Sequence, residues 1–579
     1  MKPIDFFLHP LSVTQKQYEA LRMFFVDEKD ALFVARQFGY SYRGFTSVVS
    51  DFRKMLKYEQ YDELFFLNKK KGRKEAPGTN QLKEIIFDLR KKFYSIPDIK
   101  VFIDSKGFDV SEKNIYLILK KEGFGRLPRR SKSIKKDLEE IKIDAEKSEC
   151  LNFENESFKS NSAGILCFLP YIYKYGIDKI IKQSDYPQTK SLDRLTSILS
   201  FIALKLSNVR RYSADNIWCM DRGSGLFAGL NVLPKAAWFT SYSSRVTSDM
   251  NLGILKMFHH KWVSEGLLSD TINMDFTNIP YWGENDHLEN NWSGKRGKAL
   301  ASLLAVLAQD PDSGIIDYGS TQIMHKDESQ VVLEFLDFYK TDDKQTDLKY
   351  IIFDSKFTNY ENLSKLDDRQ IKFITIRRRG KNLVNRFNQM PKNNWKTFRV
   401  ECAGNKNRTI KAIDETIFLK GYNKQIRQIC ITGHGKIKPA IIIVNDFDLS
   451  LEHIVRKYAK RWIVEKANSE QISFFHLNNV SSSMVIKVDF DLTMSIIAHN
   501  IYRLFANDLE RYNHCSVQTL YEKFILNSAD IDIDTDQIVV KLKKKRNLPL
   551  ILETMNKYKN YKYEMFDNKK LIFEGATYS

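Results

Sequence analysis

Two acidic side chains stand at the ends of short apolar runs, where a buried strand would deliver a carboxylate. Asp275 closes the run 272–275, and Asp354 closes the run 350–354. A short apolar run is typical of a strand inside a sheet, so each aspartate is expected at a strand tip. Carboxylates placed side by side in this way can hold a divalent metal ion against a phosphate.

A third acid, Glu465, lies on a segment with helical spacing. Tyr458, Arg461, Glu465 and Ser469 recur at intervals of three and four residues. That spacing places them on one face of an amphipathic helix. A glutamate flanked by a cation and a phenol could hold a metal ion and a phosphate together. We predict that Glu465 joins the two aspartates in a catalytic triad.

These residues, in this order, resemble the DDE transposases of bacterial insertion sequences, in the insertion-sequence-four-like group. The matching features are Asp275 with Thr277 and Gly283 after it, Asp354 at the end of the next apolar strand, and Tyr458, Arg461 and Glu465 in Y-x-x-R-x-x-x-E order. The resemblance covers residues 160–550. It implies a ribonuclease H-like catalytic core with a β-rich insertion before the final glutamate.

One position departs from the family pattern. The family has a phosphate-binding lysine seven positions after the glutamate, and this chain has Ile472 there. Helical spacing places His476 near the Glu465 face, where it could replace the lysine. A histidine satisfied within the core or at the surface is the alternative, and the same two interpretations apply to His499.

The resemblance implies a pair of Mg²⁺ ions, for which Mn²⁺ can substitute. Asp275 would bind both ions, and Asp354 and Glu465 would each bind one. Mg²⁺ prefers oxygen ligands, and two such ions about 4 Å apart can activate an attacking oxygen and stabilise the leaving one. For any one of the three acids, an exposed surface carboxylate is the alternative interpretation.

Between Asp354 and Glu465 lies a long stretch, residues 377–446, in which apolar and polar residues alternate as in strands. In the resembled family such an insertion holds hairpin DNA or a flipped base. Trp395 is the candidate for stacking on a base, and a tryptophan covering the edge of a small sheet is the alternative. Arg377 and Arg378 could clamp a DNA backbone or could be solvated loop charge.

Residues 14–57 have the pattern of three helices with tight joins. Ala35 and Gly39 supply the small residue and the turn that a helix-turn-helix requires. The third helix would enter the major groove, and its candidate recognition residues are Tyr42, Arg43, Thr46, Ser47 and Ser50. An ordinary helical hairpin is the alternative. A basic linker at 68–78 leads to a second unit of the same kind.

Composition agrees with a polyanionic partner. The 579-residue chain has a formal net charge of +19, which suits the phosphates of DNA, although a lysine-rich proteome would also produce it. The six cysteines show no C-x-x-C spacing, which favours reduced thiols over a zinc ribbon. No apolar run is long enough for a membrane span. We therefore expect a cytoplasmic, nucleoid-associated bacterial protein.

The predicted fold class is α/β multidomain, with N-terminal helix-turn-helix units, a ribonuclease H-like mixed-sheet core and an all-β insertion. The predicted divisions are 1–66 and 67–132 for the two DNA-binding units, 133–162 for a linker, 163–262 for a helical subdomain, 263–376 for the first part of the core, 377–446 for the insertion, 447–515 for the helices with the catalytic glutamate, and 516–579 for the C-terminal region.

The predicted function is DNA transposition. The protein would bind the terminal inverted repeats of its element and the target DNA as double strands, and would cleave and join strands as a homodimer in a synaptic complex. Two rival functions remain at this point: a transposase-derived DNA-binding regulator without catalysis, and a host nuclease of the same fold. A phosphate-binding Walker loop and a dinucleotide fingerprint are both missing, which disfavours ATP-driven and nicotinamide-dependent enzymes.

Overall fold

The computed structural model describes residues 7, 8, 10, 13–57, 79–124 and 155–577, except 92, 93, 95, 106, 107, 109, 190, 211–215, 281–288, 294–296, 325, 326, 341–347, 379, 403–405, 435–438 and 480–484. The chain divides into two compact units, Met1–Gln81 and Leu82–Ser579. The predicted basic linker at 68–78 and Gly283 lie outside the described residues.

Three helices form the described part of the first unit: α1 (Val13–Phe25), α2 (Ala31–Gln37) and α3 (Tyr42–Lys57). Asp30 begins α2 by accepting hydrogen bonds from the backbone N–H groups of Leu32 and Phe33, which have no partners inside the helix. Gly39 follows with a φ of +63°, a conformation that glycine adopts without strain. The predicted pattern of three helices is confirmed.

Three more helices follow along the chain: α4 (Thr79–Lys91), most of which belongs to the second unit, α5 (Ile96–Ser105) and α6 (Glu112–Lys121). Ile86, Ile99 and Ile115 are fully buried in one apolar cluster that these helices share. Ser111 caps α6 by accepting a hydrogen bond from the Asn114 N–H, as its position before the apolar run predicted.

Residues 163–262 are mainly helical, as predicted. The elements of residues 155–264 are β1 (Glu156–Ser160), α7 (Leu169–Lys174), α8 (Ile177–Gln183), α9 (Arg194–Leu206), α10 (Asn216–Cys219), α11 (Arg222–Phe227), α12 (Ala236–Ser243) and α13 (Ser248–Ser264). Helix α9 is buried on nearly every face and is central to this region. Strand β1 lies inside the segment 133–162, predicted as a linker, and pairs with residues 529–533.

The next elements build the first half of a mixed sheet: β2 (Thr271–Pro280), β3 (Asn290–Ser293), β4 (Lys298–Gln309), β5 (Ile316–Ile323), α14 (Val331–Tyr339), β6 (Tyr350–Phe353), α15 (Tyr360–Asp368) and β7 (Lys372–Ile376). Strand β4 pairs antiparallel with β2 and β5, whereas β6 pairs parallel with β2 and β7. The predicted α/β class with a mixed sheet is confirmed.

The stretch predicted as an insertion contains α16 (Lys381–Asn388), β8 (Lys396–Cys402), β9 (Lys406–Leu419), β10 (Tyr422–Thr432) and β11 (Ala440–Val444). Its four predicted strands are confirmed, and α16 is a helix that the alternation did not predict. Strand β11 pairs antiparallel with β7. The order along the resulting ten-stranded sheet is β3-β4-β2-β6-β7-β11-β10-β9-β8, with β5 on β4. The insertion therefore extends the central sheet.

The remaining elements are α17 (Leu451–Ala459), α18 (Trp462–Ser473), α19 (Val485–Asn507), α20 (Val517–Leu520), β12 (Ala529–Ile533), β13 (Gln537–Leu542), α21 (Leu548–Asn556), β14 (Lys562–Tyr563) and β15 (Lys569–Gly575). The last strands form a second sheet in the order β1-β12-β13-β15-β14. Helix α19 joins the two largest cores, because Phe490 and Ile501 are buried in the helical core and Ile496 is buried against the central sheet.

Across the described ranges, no helix is both long and apolar enough to cross a membrane.

Gly164 provides a test of how the helical region is packed. A Cβ at this position would lie 1.9 Å from the Ile525 carbonyl oxygen, a backbone atom that cannot move aside cheaply. We expect Gly164→Ala to lower the free energy of unfolding by about 3 kcal/mol. The matched control is Gly253→Ala inside α13, where a Cβ meets no atom within 4 Å and alanine should stabilise the helix by about 0.5–1 kcal/mol. Urea unfolding of both variants measures the two opposite signs, and equal effects would contradict the packing.

His499 on α19 is expected to make stability depend on pH. Burial lowers the pKa of His499 to about 3, with Arg503 acting in the same direction. His499 therefore takes up a proton near pH 6.5 in the unfolded chain but only near pH 3 in the folded chain. The His499 contribution is complete above pH 6.5 and falls by about 1.4 kcal/mol per pH unit as the pH drops through this window. Urea unfolding from pH 7 to 4 should show a shallower slope for His499→Gln; identical slopes would count against this account.

Candidate active site

Asp275 and Asp354 are delivered to one edge of the sheet by neighbouring parallel strands. Met274 of β2 lies opposite Phe353 of β6 in the register, so each aspartate is the next residue after a paired position. Adjacent strands are about 4.8 Å apart. The two carboxylates therefore start from neighbouring points of the backbone.

The prediction that Asp275 ends its strand is wrong. Strand β2 continues to Pro280, because Thr277 and Ile279 pair with Ala305 and Leu303 of the antiparallel neighbour β4. Asp275 instead marks the point where parallel pairing with β6 stops. Asp354 does follow a strand end, and its carboxylate accepts a 2.6 Å hydrogen bond from the Ser355 N–H.

The segment predicted as one helix from Tyr458 to Ser469 is divided between two helices. Helix α17 ends at Ala459 and α18 begins at Trp462, and the turn between them is tightened by i to i+3 hydrogen bonds. The amide of Asn273, on β2, donates to the Lys460 carbonyl at 3.2 Å. The break is thus held against the strand that carries Asp275. The predicted continuation of the helix to His476 is also wrong, since α18 ends at Ser473.

Arg461, at the break between the helices, contacts two of the predicted acids. Its Nη1 lies 3.4 Å from Oδ1 of Asp275, and its Nη2 donates to the Glu465 carboxylate. Burial opposes the charge on Arg461, yet the pKa of this guanidinium is raised above its usual value because Tyr458, Asp275 and Glu465 surround it. The guanidinium therefore bridges the strand and the helix.

Asp275 lies at the centre of the carboxylate group. Burial raises its pKa to about 6, against the lowering effect of Arg461, and the negative charges of Glu465 and Asp354 raise it further. The Asn468 amide donates to Oδ2 of Asp275 at 3.1 Å. Asn468 was not predicted, although its position three residues after Glu465 places it on the same face of α18. The charges of the other two predicted acids thus act on Asp275.

Tyr458 contacts Arg461, which lies between Asp275 and Glu465. The Arg461 guanidinium carbon lies 5.6 Å from the centre of the Tyr458 ring. Burial raises the pKa of Tyr458 to about 12, although Arg461 acts to lower it. The phenol is protonated at neutral pH and can donate a hydrogen bond to a phosphate oxygen.

The donor chemistry of the group suits a hard cation, since three carboxylates supply only oxygen. In the described part of the chain, no three acidic, histidine or cysteine groups are already arranged around a common metal position. Arg461 takes the place of a cation between Asp275 and Glu465. Arg461 thus offsets part of the negative charge of Asp275 and Glu465, and the oxygen donors are of the kind that a hard cation prefers.

This region is similar to a known protein family. Residues 269–501 match the transposase DDE domain. The matched range begins just before β2 and ends within α19, so it contains Asp275, Asp354 and Glu465 together with the inserted strands. A search of curated proteins gives no match. The match supports a DDE transposase family and suggests a transposase.

The other residues predicted to contact DNA within the DDE domain have different surroundings. Arg377 donates to the Gln428 side chain. Arg378 is exposed and lines a cleft of about 380 Å³ together with Lys420 of the β9–β10 turn. Trp395 is partly buried against a cluster that includes Phe387, which agrees with the alternative of a tryptophan covering the sheet.

The position of the family lysine is apolar in structure as well as in sequence. Ile472 packs against the core of the central sheet. His476 is hydrogen-bonded to Oδ1 of Asn208 at 2.6 Å, and His499 is fully buried with its Nε2 3.2 Å from the Gly314 carbonyl oxygen. His476 is thus bound by Asn208, whereas His499 makes its contact through Nε2 and has its buried Nδ1 3.5 Å from Oε2 of Glu470.

Helix α3 of the first unit carries the predicted recognition residues. Tyr42, Arg43, Ser47 and Ser50 are exposed, and Thr46 is half-buried. The opposite side of α3 is apolar, because Phe45 is buried in the core of this unit. The helix therefore presents a polar face with one cation and several hydroxyl groups to solvent.

Proposed function

We propose that the protein is a DNA transposase that binds the terminal inverted repeats of its element and catalyses metal-dependent cleavage and transfer of DNA strands. The observation that carries this proposal is the match to a transposase DDE domain, within which Arg461 contacts both Asp275 and Glu465 and Asp354 follows the strand that neighbours Asp275. The strand pattern supports a ribonuclease H-like core, since the antiparallel strands β2 to β5 are followed by β6 and β7, which pair parallel and alternate with helices.

Asp275, Asp354 and Glu465 are proposed to hold two Mg²⁺ ions, or Mn²⁺ in their place. When bound, such ions lower the barrier to attack on a phosphodiester by stabilising negative charge on oxygen. Asn468 orients the Asp275 carboxylate by donating to one of its oxygens. The protein needs no nucleophilic side chain, because water or a DNA hydroxyl group supplies the attacking oxygen.

Arg461 and Tyr458 are proposed to position the phosphate that reacts. A guanidinium presents donors in a planar fork that suits phosphate oxygens, and Arg461 is held by its contacts with Asp275 and Glu465. The protonated phenol of Tyr458 supplies a further donor.

The first unit is proposed to recognise the terminal repeats. Its α3 face exposes Tyr42, Arg43, Ser47 and Ser50, a combination that can contact base edges and phosphates in the major groove. The formal net charge of +19 supports binding to both repeat and target DNA. A homodimer that joins two element ends in a synaptic complex is part of this proposal.

The test uses the full-length protein and a duplex that contains the inverted repeats flanking its coding sequence. With Mg²⁺ we expect strand breaks at the repeat boundary, and with EDTA none. A duplex with a shuffled repeat is the control and should stay intact. Binding without cleavage at any metal concentration would identify a DNA-binding regulator, and equal cleavage of both duplexes would identify a nuclease; either result overturns the proposal.

A further inference from the structure

Helix α16, within the inserted stretch, has one apolar face and one face made of amides. Phe387 is buried, and Leu383 and Met390 pack with it against Cys430 and Ile441 of the sheet. This contact fixes which side of the helix is turned outward. The outer side chains are consequently a fixed surface carried by the catalytic domain.

The outward residues share one chemistry. Four exposed amides lie on this side: Asn382, Asn385, Asn388 and Gln389. Among the described residues, none of these amides has a side-chain hydrogen-bond partner. Arg386, between them, is paired with Glu415. Asparagine is a weak helix former, so three asparagines in an eight-residue helix do not serve its stability.

Three of these four amides line a shallow cleft. The cleft has a volume of about 330 Å³ and is lined by Asn382, Asn385, Arg386, Gln389, Met390 and Pro391. An amide both donates and accepts hydrogen bonds, and the amides of asparagine and glutamine match the paired donor and acceptor on the major-groove edge of adenine. Amides spaced along one helix face can therefore contact successive bases.

The ends of the amide face carry positive charge. Arg378 and Lys381 are exposed before and at the start of α16, and Lys392 and Lys396 are exposed beyond its end. Cations that flank uncharged polar groups suit a groove, where phosphates border the base edges. A helix with its side chains is about 10–12 Å in diameter, which fits the major groove at about 12 Å wide.

The position of α16 relates this surface to the acidic group. Strand β7 pairs parallel with β6, with Thr375 opposite Phe353. The chain leaves β7 at the same edge of the sheet as Asp354 and enters α16 five residues later. DNA bound at the acids would thus pass close to the start of α16.

We propose that the outer face of α16 reads base edges in the major groove of duplex DNA beside the cleaved phosphodiester. This inference rests on the proposed function, because it assumes that DNA reaches the acidic group. Adenine is the base that the amides of Asn382, Asn385 and Gln389 select. The duplex is either the element end or the target, which share this chemistry.

The test compares the full-length protein with an Asn382→Ala, Asn385→Ala, Gln389→Ala variant, whose changed side chains are all exposed. The matched control is Asn423→Ala, Gln425→Ala, which removes two exposed amides from β10. Binding is selected in EDTA from two duplex libraries, one randomised inside the repeat boundary and one randomised outside it. Sequencing measures the base preference of each protein.

Wild type and the β10 control are expected to prefer adenine at one or more positions of one library, which identifies the source of the duplex. The α16 variant should lose about tenfold to a hundredfold of that preference while still binding mixed-sequence DNA. Equal preferences in wild type and variant, or none in wild type, overturn the inference. Because the selection needs no cleavage, a lost preference in a protein that cuts no DNA would uphold base reading by α16 and refute the proposed enzyme.

Discussion

Asp275→Asn is expected to reduce Mg²⁺-dependent cleavage of a repeat duplex by at least about a thousandfold, equivalent to roughly 4 kcal/mol of transition-state stabilisation. Asparagine has the shape of aspartate but lacks its charge, so a metal ion loses its central ligand. The fold should be retained, because a neutral side chain suits this buried position better than a carboxylate does. Single-turnover cleavage and urea unfolding measure the two effects.

The matched control is Asp312→Asn. Asp312 is an exposed carboxylate whose Oδ1 lies 3.0 Å from Nζ of Lys460, and an exposed pair of this kind contributes little. Its cleavage rate is expected to stay within about twofold of wild type. Cleavage by Asp275→Asn at the wild-type rate would remove Asp275 from the catalytic group, and equal losses in both variants would indicate a general effect of charge.

Arg461→Ala is expected to slow cleavage and strand transfer by about a hundredfold, because the reacting phosphate loses a fixed donor. The metal-free protein should also lose about 2 kcal/mol of stability, since Asp275 and Glu465 lose the cation between them. Added Mg²⁺ should raise the unfolding temperature of this variant more than that of wild type. Rate measurements and thermal unfolding with and without Mg²⁺ record these changes.

Arg461→Lys separates charge from geometry. Lysine keeps the positive charge but cannot reach two carboxylates with a planar fork. Stability should therefore recover to near the wild-type value, while the rate stays well below it. If Arg461→Ala unfolds at the wild-type temperature without metal, the bridge between Asp275 and Glu465 has no structural role. If its rates are also unchanged, Arg461 does not position the phosphate.

Several elements of the fold were predictable from local patterns. The apolar runs around 272 and 350 produced strands because residues of this kind lose water on both faces of a sheet. Ser111 and Asp30 began helices because their oxygens accept from backbone N–H groups that would otherwise lack partners. Where the pattern was local and repeated, the predicted element formed within a few residues of its expected limits.

The elements whose limits were predicted wrongly have a common cause. Strand β2 passes Asp275 because β4 offers it an antiparallel partner as far as Pro280. The helix with Glu465 breaks at Lys460 because Asn273, distant in sequence, binds the freed carbonyl group. Strand β1 forms inside a polar segment because it pairs with β12, which lies about 370 positions later in the chain. Each depends on a neighbour that a local window of sequence does not contain.

By itself, the sequence determined the types and order of the acids, since two apolar runs and one helical spacing are properties of adjacent residues. Only the tertiary structure decided that β2 and β6 are neighbours, that Arg461 bridges Asp275 and Glu465, and that Asn468 donates to Asp275. It also decided that α16 turns its amides outward. These relations join residues far apart along the chain, and their positions are set by the packing of the whole sheet and its helices.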